Sequence, residues 1–197
     1  MKIYDISQEV FTSAVFAGDP APKREVLSSI EEGAVCNLTA FSMCAHNGTH
    51  IDAPYHFFDD GETVEKLDLS KMVGYAWVTA QEGMVDADGA RAILKKARDA
   101  CGESAKRILI KGDVVVTAEA AEVFAHANVE LVGNESQTVG PENAPMQVHK
   151  ILLGKGIVLL EGVRLGDVPE GVYFLCAQPL SLGGADGAPC RAVLVSF

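Results

Sequence analysis

The chain has 197 residues, 48% of them hydrophobic and 22% charged, ordinary values for one globular domain with a sizeable core. Its formal net charge of −11, with no basic run to override it, argues against nucleic acid or an anionic membrane surface as a partner. Five cysteines, at 36, 44, 101, 176 and 190, are odd in number and lack CxxC spacing, which argues against a disulfide framework or a zinc ribbon.

The opening residues Met1-Lys2-Ile3-Tyr4-Asp5 carry no apolar h-region, and no stretch approaches the ~18 apolar residues of a membrane span. A reduced, cytoplasmic protein is expected, with cysteines such as Cys176, between Leu175 and Ala177, serving as small buried hydrophobes. In chain order, residues 2–6 predict a short strand. Phe11 to Pro22 reads as a loop with turn chemistry at Gly18-Asp19-Pro20. Residues 34–45 alternate roughly enough for a strand. Asp88 to Ala100 predicts a helix with Ala92, Ile93, Ala97 and Ala100 on its apolar face and Gly102 as its stop. A strand follows at 107–110, then a helix capped by Thr117 and running through Ala127, and a strand at 130–132. A helix from Asn143 or Ala144 to Leu153 precedes the nearly continuous apolar run 156–161, which suits a buried strand. Two further strands are expected near 172–177 and 191–196. Strand–helix alternation after a β-rich start predicts a single α/β domain, a mixed β-sheet with packed helices.

The chemistry concentrates in His46-Asn47-Gly48-Thr49-His50-Ile51-Asp52-Ala53-Pro54-Tyr55-His56, which holds three of the five histidines. In extended chain, His50 and Asp52 share a face, because successive side chains alternate. A helix that would place His46 and His50 one turn apart is disfavoured by Gly48-Thr49, and Asn47 stands where an HExxH motif needs Glu. Neutral imidazole and carboxylate are ligands suited to Zn²⁺ and Mn²⁺, and His46, His50 and Asp52 supply three of them. Gly48 permits positive φ between the ligands, and Pro54 stiffens the chain before His56. A spare histidine beside the metal can serve as general acid or base.

Downstream, His149 falls on a predicted helix, and Glu161 ends the apolar run. A carboxylate there is costly unless paired or coordinated. From the residues alone, the plainer alternative is that Glu161 emerges at the surface and His149 is an ordinary helix residue. His126 reads as a helix-end residue.

The histidine segment resembles the HxGTHxDxPxH signature of the cyclase family, which includes bacterial-type kynurenine formamidases and isatin hydrolases. The likeness extends in order through Tyr4-Asp5-Ile6-Ser7, Phe16-Ala17-Gly18-Asp19-Pro20, His149 to Leu153, Ile157 to Glu161, and Ala185 to Leu194. The resemblance implies a swivelling β/α/β-type domain, usually oligomeric (dimer or tetramer), that hydrolyses a small aryl or cyclic amide. It implies that His46, His50 and Asp52 hold one divalent ion, Zn or Mn, and that Asp52, His149 and Glu161 can hold a second. His56 would match the catalytic histidine, and Phe16 would wall the substrate. Three positions depart from the pattern: Phe16 where relatives often have Trp, Gly133-Asn134-Glu135-Ser136 for Gly-x-Asp-Ser, and Lys111-Gly112 for Lys/Arg-Thr. They leave the substrate open among N-formyl aryl amines, isatin and other cyclic amides or lactones. A metal-binding scaffold without turnover is the alternative from another class.

Overall fold

The computed structural model describes residues 1–102 and 106–197. The alternation of buried residues explains its layers. In the strand Arg107–Lys111 (β7), Ile108 and Ile110 join one apolar cluster and Leu109 the other; in Val158–Glu161 (β10), Leu159 joins the first and Val158 and Leu160 the second. Strands buried on both faces therefore form the middle of the sheet, as the continuous apolar runs predict.

The first cluster is closed by three helices, Ala87–Cys101 (α1), Ala118–Ala125 (α2) and Met146–Leu153 (α3). Each sits in a connection between parallel neighbours. Val73–Ala80 (β5), β7, Leu131–Asn134 (β9) and β10 run parallel in that order, with α1, α2 and α3 in the successive crossovers. Antiparallel strands extend both sides of this core. Beyond β5 lie Gly171–Cys176 (β11), Val193–Ser196 (β13) and Lys2–Asp5 (β1); beyond β10 lie His50–Asp52 (β4) and Gly187–Pro189 (β12). Ile51 and Ala188 from one flank share the second cluster with Leu175 and Leu194 from the other, so the nine-stranded sheet curls around that cluster. Among the described residues two small pairings lie outside this sheet: Lys23–Ser28 (β2) with Leu38–Ser42 (β3), and Gly83–Val85 (β6) with Val114–Val116 (β8).

The mixed α/β fold is the one expected. Thr117 caps α2 by accepting from Ala120 N, and Gly102 ends α1 at φ 58°. Other expectations need correction. The strand predicted over 34–45 shrinks to β3, because residues 31–37 form the turn of a ribbon and Cys44–Asn47 forms a second turn. The buried face of α1 is Ala90, Ile93, Leu94 and Ala97; Ala92 and Ala100 are exposed. The helix expected from Asn143 or Ala144 begins at Met146, since Ala144 N closes a turn onto Pro141 O. The cysteines are not the buried hydrophobes expected: Cys36 is exposed and the other four are half-buried, all free. Strands β2, β5, β6, β8 and β12 have no counterpart among the expected elements.

Candidate active site

The site forms where β4 meets β10. Their antiparallel register sets His50 opposite Glu161 and Asp52 opposite Leu159. Cross-strand partners point to the same face, and Leu159 belongs to the helix-side cluster, so the three polar side chains project towards α3, which supplies His149. The parity expected of His50 and Asp52 thus places both inside. Gly48 adopts φ 66° in the turn ahead of them, and a Cβ there would meet Ser13 Cβ at 2.9 Å. Pro54 opens a one-turn 3-10 helix, Pro54–His56, the position where its fixed φ costs nothing.

Asp52 and Glu161 are only 1% and 2% exposed. His50 Nε2 lies 3.4 Å from Asp52 Oδ1 and 3.4 Å from Glu161 Oε2. His149 Nε2 lies 3.4 Å from Asp52 Oδ2 and 3.1 Å from Glu161 Oε1. The opposite edges of both rings face carbonyls: His50 Nδ1 is 3.0 Å from Gly48 O, and His149 Nδ1 is 2.9 Å from Pro145 O. A carbonyl only accepts, so each Nδ1 carries a proton and each Nε2 is aimed at carboxylates. Burial pulls both imidazoles down, but Asp52 and Glu161 prevail and raise each to about 10. The pocket therefore demands positive charge. Asp52 Oδ2, buried and without a hydrogen-bond partner among the described residues, makes the same demand. Extra protons on the imidazoles can meet it, and so can divalent cations held among these imidazoles and carboxylates. This donor set fits Zn²⁺ or Mn²⁺. Among the described residues the ligand atoms form three overlapping compact groups, His46 with His50 and Asp52, Asp52 with His149 and Glu161, and His46 with His56 and Asp186 at the rim, each within 4.8 Å.

His46 stands at the rim, its Nδ1 2.8 Å from Asp52 Oδ1 and its Nε2 2.9 Å from Asp186 Oδ2. Burial lowers its basicity, but the hydrogen bonds to Asp186 and Asp52 outweigh this and raise it to about 9. His56 reaches the same Asp186 Oδ2 from Nδ1 at 3.1 Å, and its ring is 4.1 Å from that of His46. The hydrogen bond from His46, and less strongly that from His56, holds the Asp186 carboxyl well below the usual carboxylate range. Above these groups lies a cavity of about 380 Å³, with Phe16 and Phe57 as apolar walls and Gln137, Thr138, Asp19 and Cys44 as polar lining. Six of the seven residues singled out from the sequence (Phe16, His46, His50, His56, His149 and Glu161) line this cavity, and the seventh, Asp52, is buried behind it within 3.4 Å of His46, His50 and His149. His126, by contrast, is exposed at the end of α2, with Nδ1 on Glu122 O. Asp186 carries little signal in the sequence beyond being a carboxylate just before the Gly-Ala-Pro of β12.

Gly187 lets β12 approach the site. A Cβ there would stand 2.7 Å from His46 Cε1 and 2.7 Å from Ile51 O, and the carbonyl belongs to a paired strand that cannot retreat. Gly187→Ala is expected to cost about 1–3 kcal/mol, as overpacking does, and to lower Tm by several degrees. A wild-type Tm in a thermal melt would show that β12 yields freely.

The family model "Putative cyclase" matches residues 4–141, most of the chain and the whole of the histidine segment. The chain belongs to the cyclase family. A kynurenine formamidase of Erythrobacter litoralis is 33% identical over 207 residues, covering 98% of this chain and 93% of that one. A solved structure titled a potential metal-dependent hydrolase with cyclase activity superposes with a TM-score of 0.81 at 29% identity, covering 98% of this chain and 96% of that one. An isatin hydrolase bound to a product analogue shares the fold, with a TM-score of 0.83 at 17% identity over 100% of this chain and 93% of that one. Within the cyclase family fold, His149 and Glu161 lie beyond the matched residues yet complete the buried cluster.

Proposed function

We propose that this chain is a metal-dependent hydrolase of the arylformamidase type, cleaving the amide of a small N-formyl aryl amine. The observation that carries the reading is the buried cluster of two carboxylates and two imidazoles with Nε2 turned inward, beside a histidine whose own Nε2 has no hydrogen-bond partner among the described residues. In this reading His46, His50 and Asp52 hold one ion, and Asp52, His149 and Glu161 serve a second. A divalent ion held there acidifies water to a pKa of about 7 and polarises a substrate carbonyl. The residues do the rest. Asp52 and Glu161, buried and converging, fix where the positive charge sits. His56, tied through Nδ1 to Asp186, presents Nε2 to the cavity, where it accepts the proton of the attacking water and returns it to the leaving amine. Phe16 and Phe57 exclude water and stack against the planar aryl group.

The relatives' shared name supports the formamide over other carbonyls. We assign zinc or manganese as the ion, a cytoplasmic setting, and a homo-oligomer, dimer or tetramer. The β2–β3 ribbon supports the last point, because Val26, Leu38 and Phe41 are exposed on it and a lone two-stranded ribbon gains stability from a covering partner. Among the described residues no helix is long and apolar enough to cross a membrane.

The decisive experiment is metal analysis of the purified protein with a turnover panel of N-formylkynurenine, isatin and simple lactones. Fastest turnover of N-formylkynurenine is expected. Preference for isatin would move the substrate to cyclic amides, and inertness of the metal-loaded protein to the whole panel would return the scaffold alternative. Within the formamidase reading, Phe16→Ala is expected to raise KM about tenfold, the effect of baring part of an aromatic contact, and to change kcat little. An unchanged KM would remove Phe16 from the substrate wall.

A further inference from the structure

Asp186 is a charged group of the site with no assigned part, and its backbone is firmly placed. Its carbonyl accepts from Ala53 N at 2.9 Å, and that of the preceding Ala185 accepts from Val64 N at 2.9 Å. Its side chain is 41% exposed, and ion pairs at such positions contribute only ~0–1 kcal/mol to stability. Yet one oxygen, Oδ2, receives two imidazoles, His46 Nε2 at 2.9 Å and His56 Nδ1 at 3.1 Å. A carboxylate only accepts, so both of those nitrogens carry hydrogen.

We propose that Asp186 is a positioning residue that fixes the tautomer and orientation of His46 and His56 together. His46 lies between two carboxylates and carries both ring protons as it stands. A cation held beside Asp52 would take the place of the proton on Nδ1, while the hydrogen bond from Nε2 to Asp186 would keep the ring in its present orientation. An outer carboxylate on a ligating imidazole acts in this way, raising its basicity and locking its rotation. On His56 the same oxygen holds the Nδ1 proton, leaving Nε2 as the only atom of the ring free to exchange a proton in the cavity. One carboxylate thus couples the ring that faces the cation to the ring that moves the proton. The His56 half rests on the hydrolase reading above; the His46 half needs only the cation.

The test uses the full chain with Asp186→Asn, which keeps shape and removes charge, and Asp186→Ser as a second variant; both are expected to give the wild-type far-UV circular dichroism. Zn²⁺ affinity is measured by competition with a fluorescent chelator, and kcat and KM on N-formylkynurenine are measured with zinc-saturated protein. The expected result is a 10–100-fold rise in the zinc Kd, the usual effect of losing an outer-shell partner, and a fall in kcat of at least tenfold with KM within twofold of wild type. An unchanged Kd in both variants overturns the His46 half. An unchanged kcat in the zinc-saturated variants overturns the His56 half. Should the wild-type protein turn over no amide, the hydrolase reading fails on its own and the zinc affinity alone decides for or against Asp186.

Discussion

His56→Ala is expected to lower kcat by about 10²–10⁴, the range for loss of a positioned acid–base group, while the protein keeps its full complement of metal. The geometry separates the two effects. The His56 side chain is 28% exposed at the cavity, and among the described residues its ring hydrogen-bonds Asp186 and neither Asp52 nor Glu161. Deleting it leaves the buried cluster intact and removes one free imidazole nitrogen from the space where a leaving amine would form. Metal content by atomic spectroscopy, read beside kcat, distinguishes this from loss of a ligand. Wild-type turnover with metal bound would sink the assigned role. So would restoration of kcat on adding back metal, since the loss would then have been one of binding.

The second large effect belongs to Asp52. It meets three histidines, His46 Nδ1 at 2.8 Å, His50 Nε2 at 3.4 Å and His149 Nε2 at 3.4 Å, and it joins the group His46–His50–Asp52 to the group Asp52–His149–Glu161. Asp52→Asn removes a negative charge from a pocket that needs cation density and leaves an amide among three imidazoles. Breaking a buried charge arrangement by removing one partner costs about 3–5 kcal/mol, so a lowered Tm is expected. Metal affinity should fall by more than the ~10–100-fold that outer-shell losses cause, and activity should fall with it. Chelator competition and a thermal melt on the same sample measure both. If the Asp52→Asn protein binds zinc at the wild-type Kd, Glu161 and the histidines suffice, and the central place given to Asp52 is wrong.

Much of the site could be read from residue types because its elements are local. His50 and Asp52 are two apart, and a strand of any register puts them on one face; Gly48 and Pro54 declare the turn and the short helix on either side. What the sequence left ambiguous has physical causes. Alanine suits a helix at either burial, so residue type alone does not show that Ala90 and Leu94 turn inwards while Ala92 and Ala100 face solvent. In β5, Gly74 and the exposed Tyr75 interrupt the apolar signal that Ala76 to Val78 provide, and that strand's place at the centre of the sheet depends on β7 and β11 flanking it. Glu161 could not be told from a surface carboxylate until β4 lay against it. Asp186 is 140 residues from His46 and 130 from His56, and no spacing rule reaches that far. His149 and Glu161 stand out from the predicted helix and the apolar run, and the resemblance to the cyclase family implies their part as ligands, but it names none for Asp186.

The three-residue strand β4 is held between β10 and β12, and it sets His50 opposite Glu161 across more than a hundred residues of chain. That separation has a consequence in time. At synthesis rates of about 5–20 residues per second, Glu161 leaves the ribosome roughly 5–20 s after Asp52. Through that interval the histidine segment is a flexible stretch without its opposite carboxylate, and a preformed metal site rarely exists in an unfolded chain. Only after β10 and β12 have closed on β4 do these side chains converge, so a cation would meet the full set only in the finished protein.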